Sequence, residues 1–219
     1  MKLAVFITAA FLAFVVYTGN RVSYAADAHN LTSVNGSVKT SSGQSYGTLS
    51  TVNGDVHVSR GASAETAKTV NGEIVLEGDS KIGNASTVNG SLEIGDGVTV
   101  AHDASTVNGE VKIAQRSHVG GDVSTVSGEI ELAGAEVAGV VSTTNGDIDL
   151  TEGARVRGGI HVRENNSWNW GKDHADPVKV HICATCVVEG ELRFERAVEL
   201  RVDDGARIGK VIGDKVVRK

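Results

Sequence analysis

The sequence predicts an all-β fold, a three-sided parallel β-helix with about 18 residues per coil. Three observations predict it. The phrase Ser-Thr-Val-Asn-Gly, or a near variant, recurs with its glycine at Gly36, Gly54, Gly72, Gly90, Gly109, Gly128 and Gly146, at intervals of 18 or 19 residues. Inside each interval a beat of six places apolar residues at Val52, Val58 and Ala64, then at Val70, Leu76 and Ile82, then at Val88, Ile94 and Val100. Composition agrees, because 27 glycines, one proline and 4% aromatic residues suit a narrow interior of stacked Val, Ile, Leu and Ala.

The elements follow in chain order. Residues 1–25 carry Lys2, an apolar run from Leu3 to Val16, a polar stretch, and then Ser23-Tyr24-Ala25, the three-part layout of a secretory signal peptide. The run is shorter than the roughly 20 residues of a spanning helix. Cleavage would remove Lys2 and Arg21 and leave a more acidic chain in a periplasmic or secreted location. Residues 26–49 are irregular and polar and read as an N-terminal cap.

Residues 50–162 are the regular solenoid. After each Asn-Gly, apolar residues alternate with polar ones, as in Val56 and Val58, Ile74 and Leu76, or Leu92 and Ile94, so these pairs point inward. The Asn-Gly itself is expected to supply positive φ at a corner. Isolated hairpins would need antiparallel flanks, whereas an 18-residue identity calls for like to pair with like. A helix would need a period of about 3.6.

The beat stops over residues 163–177, which hold Trp168, Trp170 and the single proline, and read as a loop leaving one corner. It resumes at Val178, and residues 178–219 read as C-terminal coils and a lysine-bearing cap that blunts the sheet edge. Some nine or ten coils at the strand spacing make a rod of about 45 Å.

Four features are candidates for chemistry. Stacked coils bring like positions to about 4.8 Å, so Asp55, Glu73, Glu110, Glu129 and Asp147 form an acidic ladder; it suits a cation or basic ligand, or simply a solvated face opposing aggregation. Rows of Thr51, Thr69, Thr87, Thr106, Thr125 and Thr143 with Asn53, Asn71, Asn89, Asn108 and Asn145 resemble those of ice-binding solenoids, or serve only strand propensity and Asn stacking. Cys183 and Cys186 are expected to form a local disulfide, with a redox pair or a metal site recruiting His181 and His174 as alternatives. Trp168 and Trp170 are candidates for contact with a glycan or another partner.

The segment from Ile94 through Gly95, Asp96 and Gly97 to Val100, and the one from Leu150 through Gly153, Val156 and Gly158 to Ile160, resemble the coil motif of bactofilins. That resemblance implies a right-handed three-sided β-helix that associates end to end without nucleotide. The Thr-Val-Asn-Gly-Asp-Val phrase is also similar to exported β-solenoid proteins of the adhesin type. The beat of six resembles the hexapeptide helix of acyltransferases, which use a histidine at a coil boundary; His57, His102, His118 and His161 are available, each without a distinctive sequence neighbour.

A net charge of -6 argues against a nucleic-acid partner. No clustered acid–base constellation stands out from the repeat, so no catalytic residue, metal or cofactor is expected. The expected function is that of an exported, non-enzymatic structural or interaction protein of the bacterial envelope that self-associates through its ends. A surface adhesin or binding module using the tryptophans or the acidic face is the alternative, and a β-helix enzyme is third.

Overall fold

The computed structural model describes residues 29–164, 176–213 and 216–218. Trp168, Trp170, His174 and residues 1–25, read as a signal peptide, lie outside the described residues. Within them every regular element is a β-strand, and the strands form two parallel sheets of 16 and 10 strands. The ten-stranded sheet begins with Val38–Lys39, Val56–Val58 and Ile74–Leu76 and ends at Val216–Arg218. In the larger sheet the six-residue strands Ser45–Ser50, Ser63–Lys68 and Lys81–Ser86 are followed by pairs of short strands, such as Thr99–Val100 and Ala104–Ser105. Each coil therefore lays its strands in three stacks.

Register is set by burying like on like. Val56 stacks on Ile74, Ile74 on Leu92, Leu92 on Val111 and Val111 on Ile130, and all five side chains are withdrawn from solvent. A slip of one residue would turn this aliphatic column outward, so each coil fixes the next. The register already holds in the segment read as a cap, where Leu31 pairs with Leu49 and Val38 with Val56. The interrupted coil re-enters in register, with Val180 on Ile148 and then Leu200 on Val180.

One expectation about the repeat is corrected. The threonines face the interior, with Thr69 at 1% exposure and Thr51, Thr87, Thr106 and Thr125 at 3–4%, whereas Val52, Val70 and Val88 are half-buried on the outside. A buried hydroxyl needs a partner, and each of these Oγ1 atoms donates to the glycine carbonyl of the coil before, at 2.8–3.2 Å. No flat outward threonine face exists among the described residues, which removes the ice-binding reading.

The Asn-Gly glycines serve by contact as well as by dihedral, with positive φ at Gly36 (147°), Gly54 (158°), Gly90 (159°) and Gly128 (141°). A Cβ on Gly72 would lie 2.0 Å from the Gly54 oxygen, and one on Gly90 would lie 1.9 Å from the Gly72 oxygen. Neighbouring coils touch there backbone to backbone, so no side chain fits. Dihedrals near φ 60–70° occur at a second corner, at Gly61 (φ 67°) and Gly97 (φ 68°), with Asp79 (62°) and Arg116 (60°) at the equivalent place on other coils. There Ala62 N bonds Ser59 O at 3.0 Å, a four-residue turn whose third position favours positive φ.

Candidate functional site

The outer side of the ten-stranded sheet carries the chemistry. Asp55, Glu73, Ser91, Glu110, Glu129 and Asp147 follow the glycine column, and His57, Val75, Glu93, Lys112, Glu131 and Asp149 stand two residues further on. The predicted ladder residues thus share one face and are joined there by Glu93, Glu131 and Asp149. Part of the ladder is structural: the Glu73 N–H donates to Asp55 Oδ1 at 3.0 Å, and the Lys179 N–H to Asp147 Oδ1 at 2.8 Å.

Crowding perturbs the rest. Partial burial, then Glu93 and Asp55, raises the Glu73 carboxyl above its ordinary value. Burial, then Glu110, Asp149, Asp147 and Glu131, raises Glu129. Among these carboxylates stands Lys112, whose Nζ lies 3.0 Å from Glu110 Oε2, and that hydrogen bond raises the lysine.

A groove of about 410 Å³ runs beside these rows. Its floor is the column Gly95, Ala114 and Ala133, ending at Glu77, and its rim is the row Val75, Glu93, Lys112 and Glu131. Glu77 closes one end, held by His57 Nε2 at 2.6 Å and by the Arg60 N–H at 2.8 Å, which together keep its carboxyl below the ordinary range.

The histidines have neighbours that sequence spacing does not show. His57 meets Glu77, His118 lies 4.0 Å from Glu136, and His161 Nε2 lies 3.0 Å from Glu195, each partner on another coil; His102 is exposed. His181 bridges two coils, with Nδ1 2.7 Å from Asp149 and Nε2 3.1 Å from Asp203. A neutral imidazole donates through one nitrogen only, so two carboxylate contacts require the imidazolium. Burial works against that charge, but the bonds to Asp203 and Asp149 outweigh it and raise His181. Asp203, which also accepts from Arg201 Nε at 3.1 Å, is lowered in return, with the His181 bond the larger cause.

Cys183 and Cys186 are disulfide-bonded, with Cα atoms 5.1 Å apart. They occupy the first and last positions of the four-residue corner turn, where Cys186 N bonds Cys183 O at 2.9 Å, and Cys186 takes an inward place at 1% exposure. His181 is committed to its carboxylates rather than to sulfur. Among the described residues no group of three or more His, Cys, Asp or Glu is arranged to hold a metal ion, and no helix is long and apolar enough to cross a membrane.

The neck of the interruption is tied to the rod. Arg196 Nη1 donates to Thr144 O at 2.8 Å and to Asn145 Oδ1 at 2.6 Å, and its Nη2 donates to Asp176 O at 3.3 Å. The Glu164 N–H bonds Glu195 Oε2 at 3.2 Å. No acid, base and nucleophile converge on one point in these arrangements.

No protein-family model, curated protein or solved structure matches this chain. What the fold supports without relatives is a parallel β-solenoid with one acidic, grooved face and a stapled interruption.

Proposed function

We propose that this is an exported, non-enzymatic structural and interaction protein of the bacterial cell envelope, periplasmic or secreted, that associates with further copies through its open coil ends. The observation carrying this reading is the state of the terminal strands. Val38–Lys39 and Val216–Arg218 are each paired along one edge among the described residues, and the exposed large hydrophobics there, Val34 (58%) and Val217 (60%), lie on the first and last coils. An unpaired parallel edge beside exposed aliphatic surface is a template for another chain. The resemblance to bactofilins supports the same reading.

Light scattering and negative-stain imaging across a concentration series test the reading. Dimers or filaments that Val34→Glu weakens are expected; a monodisperse monomer at high concentration overturns it.

A second reading, a glycan- or surface-binding module using Trp168 and Trp170, is favoured by the Arg196 and Glu195 ties at the neck. Rigid scaffolds displaying a segment are a common way to build binding surfaces. It predicts glycan-array or cell-binding signal that is lost in the Trp168→Ala, Trp170→Ala double variant.

A further inference from the structure

The groove on the ten-stranded sheet stands apart from both coil ends and from the interruption. Its floor is a column of small outward residues, Gly95, Ala114 and Ala133, stacked in register over three coils. The next register position is Thr151, and the other end stops at Glu77. The trough is therefore long and narrow, about 14 Å over three strand steps.

The chemistry of its rim selects the charge and shape of an occupant. Glu93 and Glu131 flank it two coils apart, about 10 Å at the strand spacing. Glu73 and Glu129 lie in the adjoining row. Carboxylates on parallel rungs spread along a line instead of converging on a point, in keeping with the absence of a metal-holding group among the described residues. The floor between them is apolar and gives a hydrated point cation nothing to bond. Lys112, on the same rim, carries its ammonium to Glu110 of the adjoining row at 3.0 Å.

We propose that this groove binds a linear aliphatic polyamine, with methylenes on the Gly95–Ala114–Ala133 floor and ammonium groups on Glu77, Glu93 and Glu131. Apolar floor and spaced carboxylates match the two alternating parts of such a molecule. Binding relieves carboxylate repulsion that one lysine leaves in place. It does not depend on end-to-end association, since the groove lies within one chain.

Calorimetric titration of spermine into the full chain tests it. One saturable site per chain is expected. Ala114→Leu, which fills the floor without changing charge, and Glu131→Gln should each weaken Kd about tenfold. Glu65→Gln, an exposed carboxylate of the other sheet, should leave it unchanged within about twofold. Ala133→Leu carries the test if Ala114→Leu lowers the melting temperature severely. Absence of saturable binding overturns the proposal. So does equal affinity in the floor-filled variant, equal loss in Glu65→Gln, or full displacement by magnesium at the same charge concentration, because each describes loose counterions around an acidic face.

Discussion

The Thr69 hydroxyl donates to the carbonyl oxygen of Gly54 at 2.8 Å, and that same oxygen would lie 2.0 Å from a Cβ placed on Gly72. One backbone atom thus accounts for two of the repeated letters. The threonine supplies its buried donor, and the glycine leaves the space in which the coils approach. Thr69→Val should cost about 1–2 kcal/mol for the hydrogen bond lost at a buried site, and Gly72→Ala about 3 kcal/mol or more for a contact that cannot relax without separating coils. Val70→Thr, outside and half-buried, should stay within about 0.5 kcal/mol. Chemical denaturation of the three variants checks the order, and a large loss in Val70→Thr would contradict the inward assignment of the threonines.

Stability should be greatest on the acid side of neutrality. His181 is raised above 6.5, so its contribution is complete below that value and fades as pH rises through the higher folded-state pKa. Glu77 and Asp203 are lowered below 4.5 and 3.8, so theirs is present above those values and is lost as pH falls through the lower folded-state pKa values. Glu195 is lowered too: burial opposes its charge, but the Glu164 N–H and His161 outweigh that. The raised Glu73 and Glu129 act in the same direction as His181, since ionising them in the folded state adds repulsion. Melting temperature against pH should peak between the carboxylate range and the imidazole range. In His181→Gln the decline on the alkaline side should flatten; an unchanged profile would show that the bridge is not the titrating element.

The acidic face should stabilise when diluted. Glu129→Gln removes one charge from a group that includes Glu110, Asp147, Glu131 and Asp149. After solvent screening a gain of about 0.5 kcal/mol is expected at neutral pH. The gain should shrink in about 1 M salt, where the Debye length is near 3 Å. A gain that persists in salt would assign the effect to packing.

Loss of the disulfide should be felt locally. Its loop is short, and Cys186 N already bonds Cys183 O at 2.9 Å. The entropy lost by the unfolded chain is correspondingly small, about 2 kcal/mol at most. Reduction should therefore speed amide exchange in Val187–Val188 and Arg207–Ile208 while Ile74–Leu76 stays protected. Global unfolding on reduction would make the bond a determinant of the whole rod.

Arg196→Ala should loosen the neck of the interruption. It removes donors from Thr144 O, Asn145 Oδ1 and Asp176 O. A cost of about 1–2 kcal/mol is expected from charged hydrogen bonds at a partly buried site. Faster exchange across Val178–Ile182, without change in Val56–Val58, is the measurement that separates a local tie from a general one.

Much of this was legible in the chain itself. The spacing from Gly36 to Gly146 stated the coil length, and the alternation at Val56 and Val58 or Ile74 and Leu76 named the core, because a period of two has only one inward face. The ladder of Asp55, Glu73, Glu110, Glu129 and Asp147 followed from the same spacing. Thr against Val at the Asn-Gly corner was not legible. Both are β-branched residues of similar size, and only the Gly54 carbonyl across the coil boundary decides which is buried. The histidine partners were equally hidden: Glu77, Glu195, Asp149 and Asp203 lie 20 to 34 residues from His57, His161 and His181, and the interruption falls between the partners in two of the four pairs.

The sequence by itself determined that this chain is a stack of coils with an aliphatic interior and an acidic side, since a repeated hydrophobic pattern with repeated glycine admits that packing and few others. Only the tertiary structure decided what each repeated residue does. Whether a glycine turns the chain or lets two coils touch, and whether a carboxylate is bonded, crowded or set along a groove, depends on atoms one coil away, at distances that a pattern along the chain does not carry.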